Sequence, residues 1–62
     1  MNKVKEYREK KDLTQQELAD KAGISRFMIS KIENEEDINI TKNTMVAIAN
    51  SLGCKVTDIF LF

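Results

Sequence analysis

Histidine, proline and tryptophan are absent from this chain, cysteine occurs once and glycine twice. With no histidine and only Cys54, neither a structural zinc site nor an internal disulfide can be assembled. The same lack removes the commonest general base of enzymes. Two isolated glycines, Gly23 and Gly53, give no loop that could cradle phosphates. No apolar run nears the roughly 20 residues of a bilayer-spanning helix, and no leader pattern opens the chain, so the expectation is a cytoplasmic protein without membrane contact. Net charge is missing as well, since ten basic residues balance ten acidic ones. The signs are nevertheless unevenly placed. Lys3, Lys5, Arg8, Lys10 and Lys11 crowd the start, while Glu33, Glu35, Glu36 and Asp37 form an acidic block.

What is present is a spread of apolar residues at helical spacing. Sixty-two residues make a single domain, 1–62, and a chain of this size buries only about 60% of its unfolded surface. No segment alternates like a strand, so the fold class is all-α. A first helix is expected from about Asn2, a candidate cap, to Lys11, with Val4 and Tyr7 inward. Thr14 and Glu17 have the spacing of a capping box, in which hydroxyl and carboxylate each satisfy the other residue's backbone N–H. They start a second helix that runs to near Lys21 and closes at Gly23 in the left-handed conformation. Ser25 caps a third helix, which stops at Asn34. A loop follows over 35–40. Thr41 opens a fourth helix to Leu52, with Met45, Ile48, Ala49 and Leu52 on one face and Gly53 at its end. A short fifth helix runs from about Val56 to Phe60.

The stretch TQQELADKAGISRFMISKIEN, residues 14–34, therefore reads as two short helices around a tight turn. Leu18, Ala22, Ile24, Ile29 and Ile32 are apolar where the helices would cross, and Ala19 is small where they must approach. This pattern resembles the Cro and phage-repressor type of helix-turn-helix, the XRE-like family of small regulators. The likeness extends from Arg8 to the ending IANSLGCKVTDIF. It implies a compact five-helix bundle of the lambda-repressor-like DNA-binding type, with helices two and three as the helix-turn-helix. It also implies an ion pair between Arg8 and Glu33, which a planar guanidinium and a carboxylate can make bidentately.

On this reading helix three enters the major groove of double-stranded DNA, leading with its N-terminal residues. Arg26, Phe27, Ser30 and Lys31 are the candidate base contacts. Arg26 can fork onto guanine O6 and N7 or clamp a phosphate, and Phe27 suits a thymine methyl. Gln15, Ser25, Thr41, Lys42 and Asn43, at the starts of helices two, three and four, are the candidate backbone contacts. Blander roles stand beside these: Phe27 could pack on protein, Met28 fill a gap, Lys31 be a solvated charge and Thr41 merely cap. No cofactor, metal or small-molecule ligand is implied.

One recognition helix covers few base pairs, which points to a homodimer on a pseudo-palindromic operator. The apolar end DIFLF supplies a surface for it, with Ile59 in the core and Phe60, Leu61 and Phe62 as candidate interface residues. Cys54, beside Gly53, reads as a small buried hydrophobe rather than a redox switch. The expected function is a sequence-specific transcriptional regulator, most simply a repressor. The loop NEEDINIT departs from the family, being acidic with Ile40 where proline is common. It favours the alternative of an antitoxin-like or other protein-interaction module with weak or no DNA binding. Catalysis is not expected.

Overall fold

Thr14 sets the start of the second helix by its own chemistry. Its hydroxyl accepts the Glu17 N–H at 3.0 Å, and its N–H donates to Glu17 Oε1 at 2.8 Å. The capping box read from the sequence is thus formed on both sides. The computed structural model describes residues 2–35 and 39–60. Its helices are α1 (Val4–Lys10), α2 (Gln15–Ala22), α3 (Arg26–Glu33), α4 (Lys42–Leu52) and α5 (Val56–Ile59). Among the described residues no strand forms; the one extended contact is an antiparallel bridge between Asn2 and Phe60.

Gly23 closes α2 at φ +73° and Gly53 closes α4 at φ +69°. Their N–H groups return to the Ala19 carbonyl, and to those of Ala49 and Asn50, respectively. Ser25 and Thr41 cap α3 and α4 by accepting the N–H groups of Met28 and Thr44, each at 3.1 Å. Asn34 ends α3 as expected, but in the right-handed region, and the left-handed turn falls one residue later on Glu35 at φ +55°.

The apolar face of each helix meets one core. Val4 from α1, Leu18 and Ala19 from α2, and Ile29 and Ile32 from α3 are at most 3% exposed. Ile48, Ala49 and Leu52 from α4 and Ile59 from α5 join it. Tyr7, Leu13, Ala22, Ile24 and Met45 pack around this centre. Ala19 has no exposed surface, which fits its expected place where α2 and α3 come closest.

Two expectations are corrected. Asn2 is not the cap residue of α1; that position is Lys3, whose side chain makes no cap bond. Asn2 is instead a tie. Its Oδ1 accepts the Val4 N–H at 3.1 Å, its Nδ2 donates to the Ile32 carbonyl at 2.8 Å, and its N–H donates to Glu35 Oε1 at 3.0 Å. With Lys3 N–H on the Ile59 carbonyl at 2.7 Å, the first residues bind the ends of α3 and α5 together. Phe60, expected at a dimer interface, is 6% exposed and belongs to the core. Its N–H donates to the Val56 carbonyl at 2.8 Å. A ring of that size is worth more to so small a core than to a surface. Leu61 and Phe62, the other expected interface residues, lie outside the described residues, as do Glu36 and Asp37 of the acidic block.

Candidate nucleic-acid interface

Helix α3 is fixed at its C-terminal end by a guanidinium. Arg8 Nε donates to Glu33 Oε2 at 2.6 Å and an Nη2 hydrogen to Oε1 at 3.1 Å, so the carboxylate is held at both oxygens. The remaining Nη1 donates to the Leu13 carbonyl at 2.6 Å. One side chain therefore joins α1, the α1–α2 connection and the last turn of α3. The Glu33 side chain is 2% exposed and that of Arg8 11%. The hydrogen bond that Arg8 donates to Glu33, and then the charge of Glu33, push the Arg8 pKa above its ordinary value against the opposing effect of burial. The ion pair implied by the family resemblance is present.

The face of α3 turned away from the core carries the expected residues. Arg26 and Ser25 are exposed, Ser30 and Lys31 half-exposed, and the Phe27 ring is 67% exposed. One helical turn apart, Lys31 Nζ sits 5.1 Å from the centre of the Phe27 ring, a cation–π arrangement that gives both side chains a preferred position. Phe27 is thus covered on one side by its own helix rather than packed into the protein. Met28 is half-buried against the core, which fits a gap-filler better than a reader.

Gln15 occupies a position the sequence did not foreshadow. Its Nε2 donates to Glu33 Oε1 at 3.1 Å, and its Oε1 accepts from Arg26 Nη1 at 3.4 Å. The polar groups run in series from Arg8 through Glu33 and Gln15 to Arg26. These partners are 18 and 11 residues from Gln15 in sequence, and no local pattern signals such a bond. Thr41 spends its hydroxyl on capping and on the Thr44 hydroxyl at 3.0 Å. Lys42 and Asn43 are exposed at the start of α4. Among the described residues these three make no hydrogen bond to α2 or α3, and their placement follows from the packing of α4 across α2.

The basic crowd at the start is not a free cationic patch. Arg8 is consumed by Glu33, and Lys10 pairs with Glu6 at 3.3 Å while lying over the Tyr7 ring. A shallow cleft along α1, lined by Lys3, Lys5, Glu6, Glu9 and Lys10, carries both signs. Cys54 is half-buried, and burial, then Asp58, raise its pKa above the ordinary thiol value despite Lys11. Among the described residues, no group of three His, Cys, Asp or Glu side chains could hold a metal ion. Nor is any helix long and apolar enough to cross a membrane.

Comparison with known proteins agrees with this geometry. The model of a family described as helix-turn-helix matches residues 4–59. An uncharacterized HTH-type transcriptional regulator of Methanocaldococcus jannaschii is 39% identical over 61 residues, covering 98% of this chain and 91% of the relative. A solved SinR protein/SinI protein complex contains a chain that superposes with a TM-score of 0.81 at 30% identity, over 87% of this chain. The match spans about half of that chain, 52%. The chain accordingly belongs to the Cro/C1-type helix-turn-helix family, whose members are DNA-binding transcription regulators rather than enzymes.

Proposed function

We propose that this protein is a sequence-specific regulator of transcription that reads double-stranded DNA with α3, acting most simply as a repressor by occluding a promoter from within the cytoplasm. The observation carrying this reading is the braced α3 face, where Arg26, Phe27, Ser30 and Lys31 project from a helix fixed at both ends. Arg26 and Phe27 lead into the groove, and Ser30 and Lys31 follow one turn on. Ser25, Lys42 and Asn43 meet phosphates at helix starts, with Thr41 supporting the last two as their cap.

The longest dimension of the Cα trace is 25 Å, shorter than the ~34 Å between successive major-groove faces. One copy therefore reads one half-site, and a homodimer reads a pseudo-palindrome. With Phe60 committed to the core, the proposed interface falls to Leu61 and Phe62. Changing both to Ser should turn a sedimenting dimer into a folded monomer; an unchanged sedimentation coefficient rejects that interface.

A gel shift against random duplex tests the DNA reading itself. Log K should fall linearly with log salt by about 0.9 per phosphate neutralised. Lys42, the cation placed at a phosphate, sets a slope of about −0.9 per copy on that basis. No shift at low salt would instead favour the protein-interaction reading, antitoxin-like or otherwise. That second reading draws on the large exposure of Phe27 and on the structural neighbour, SinR, having been solved with a protein partner.

A further inference from the structure

We infer, on the reading that α3 enters the major groove, that Phe27, steadied by Lys31, recognises the methyl group on C5 of a pyrimidine. The ligand class is then any 5-methylpyrimidine in a duplex. 5-Methylcytosine serves where thymine does, and methylation of an operator cytosine strengthens binding.

Phe27 is an outlier on this surface. It is 67% exposed, and the other large hydrophobic exposed among the described residues, Val46 on α4, stands at 36%. Phe27 is the second residue of α3, in the turn that comes nearest the base edges. Its ring neither donates nor accepts a hydrogen bond, so the donors and acceptors that distinguish base pairs in the groove are closed to it. The apolar group offered there is the methyl on C5 of thymine. Cytosine differs from thymine in that groove in two ways, a hydrogen in place of the methyl and an amino group in place of O4. A phenyl ring registers the first and has nothing with which to read the second. A methyl added to C5 of cytosine restores what the ring can sense.

Lys31 gives the ring a defined pose. One helical turn on, its Nζ lies 5.1 Å from the ring centre. The ammonium takes one face, drawn by the negative charge of the π-system, and leaves the other face and the edge to the base. The ring is thereby restricted before DNA arrives, and less of its freedom is lost on binding. A lysine committed in this way acts on the DNA through Phe27, as a positioning residue.

The operator is first selected from random duplexes with the intact protein. Each thymine in it is then replaced in turn by uracil, by cytosine and by 5-methylcytosine, the last two paired with guanine. At one thymine of each half-site, thymine should bind about fourfold more tightly than uracil, the worth of one buried methyl group. 5-Methylcytosine should exceed cytosine there by the same factor. Both ratios should fall to unity in Phe27→Ala, whose melt should match that of the unaltered protein because the ring is exposed. Lys31→Met keeps the stem and drops the charge. It should lose about two- to fivefold in affinity for the methylated duplexes and little for the unmethylated ones, with an unchanged salt slope. Lys31→Arg, which again sets a cation over the ring, should restore the ratios. A methyl effect on thymine with none on cytosine overturns the inference. Ratios near unity in the unaltered protein overturn it too and leave the exposed ring to a protein partner, and ratios that persist in Phe27→Ala place the methyl on another side chain. A Lys31→Met loss that is equal for methylated and unmethylated duplexes makes Lys31 a DNA contact in its own right and removes its positioning role. Absence of any binding by the unaltered protein is a separate result, which removes the DNA reading and this inference with it.

Discussion

Arg8→Ala should remove about 3–5 kcal/mol of folding stability, the usual cost of taking away one partner of a buried ion pair. The loss has little to do with the attraction that disappears. It comes from the Glu33 carboxylate, 2% exposed, which keeps Gln15 Nε2 as a donor but no longer has a cation. The Leu13 carbonyl loses its guanidinium donor as well. A domain of this length has a total stability of about 3–9 kcal/mol at the usual contribution per residue. The variant should therefore lose roughly a third or more of that stability, and the deficit should appear in urea melts as a lowered midpoint with a similar slope. The control is the double change Arg8→Met with Glu33→Met. Removing both charges leaves no orphan, and well-packed apolar replacements of buried pairs are often neutral or better. That protein should regain most of the lost stability. A melt of Arg8→Ala that overlays the unaltered protein would mean that Glu33 is solvated in solution and that the ion pair braces nothing.

The features legible in the sequence are those whose physics is local. Thr14 and Glu17 lie three residues apart, and the bonds they make are the ones their spacing allows. Gly23 and Gly53 stand where a helix must turn left-handed to end, and both do. Ala19 was readable because a small residue on an otherwise apolar stripe marks a close crossing. Arg8 with Glu33 is different, since 25 residues separate them and only the resemblance to a family connected them. Asn2 and Gln15 lay beyond reach. Each is a small polar residue whose nearest neighbours in sequence explain it adequately as a cap or a surface contact. Their actual partners are supplied by the closing of the bundle.

Phe60 shows the same limit from the apolar side. The run Ile59, Phe60, Leu61, Phe62 has no period, so nothing in it says which members turn inward. The bridge to Asn2 and the end of α5 decide that for Phe60. On α3, by contrast, helical spacing separated Ile29 and Ile32, which are buried, from Arg26 and Phe27, which are exposed, and the candidate interface emerged from that separation. The acidic block could be read as a charge but not as a geometry. Glu33 proves to belong to the internal brace, so it should be subtracted from any charge that would repel DNA.

Arg26→Ala should cost about 1–3 kcal/mol at the selected operator, a loss in affinity of roughly five- to 150-fold. The loss should be confined to discrimination at one base pair. Arg26 is placed for this. It is the first residue of α3, where a groove-inserted helix comes nearest the base edges, and its guanidinium is exposed with one hydrogen held by Gln15. Arg26→Lys separates reading from charge. Lysine retains the cation, so binding to random duplex and its salt slope should stay near those of the unaltered protein. It lacks the rigid fork that matches guanine O6 and N7 together, so part of the preference at that base pair should go. Phe27→Ala supplies a comparison from the adjacent position. If its ring lies on a thymine methyl, replacing that thymine by uracil should weaken the unaltered protein and leave Phe27→Ala indifferent. A different pattern, in which Arg26→Ala lowers affinity equally for every sequence and flattens the salt dependence by about one phosphate, would place the guanidinium on the backbone. Sequence reading would then rest on Phe27, Ser30 and Lys31 alone.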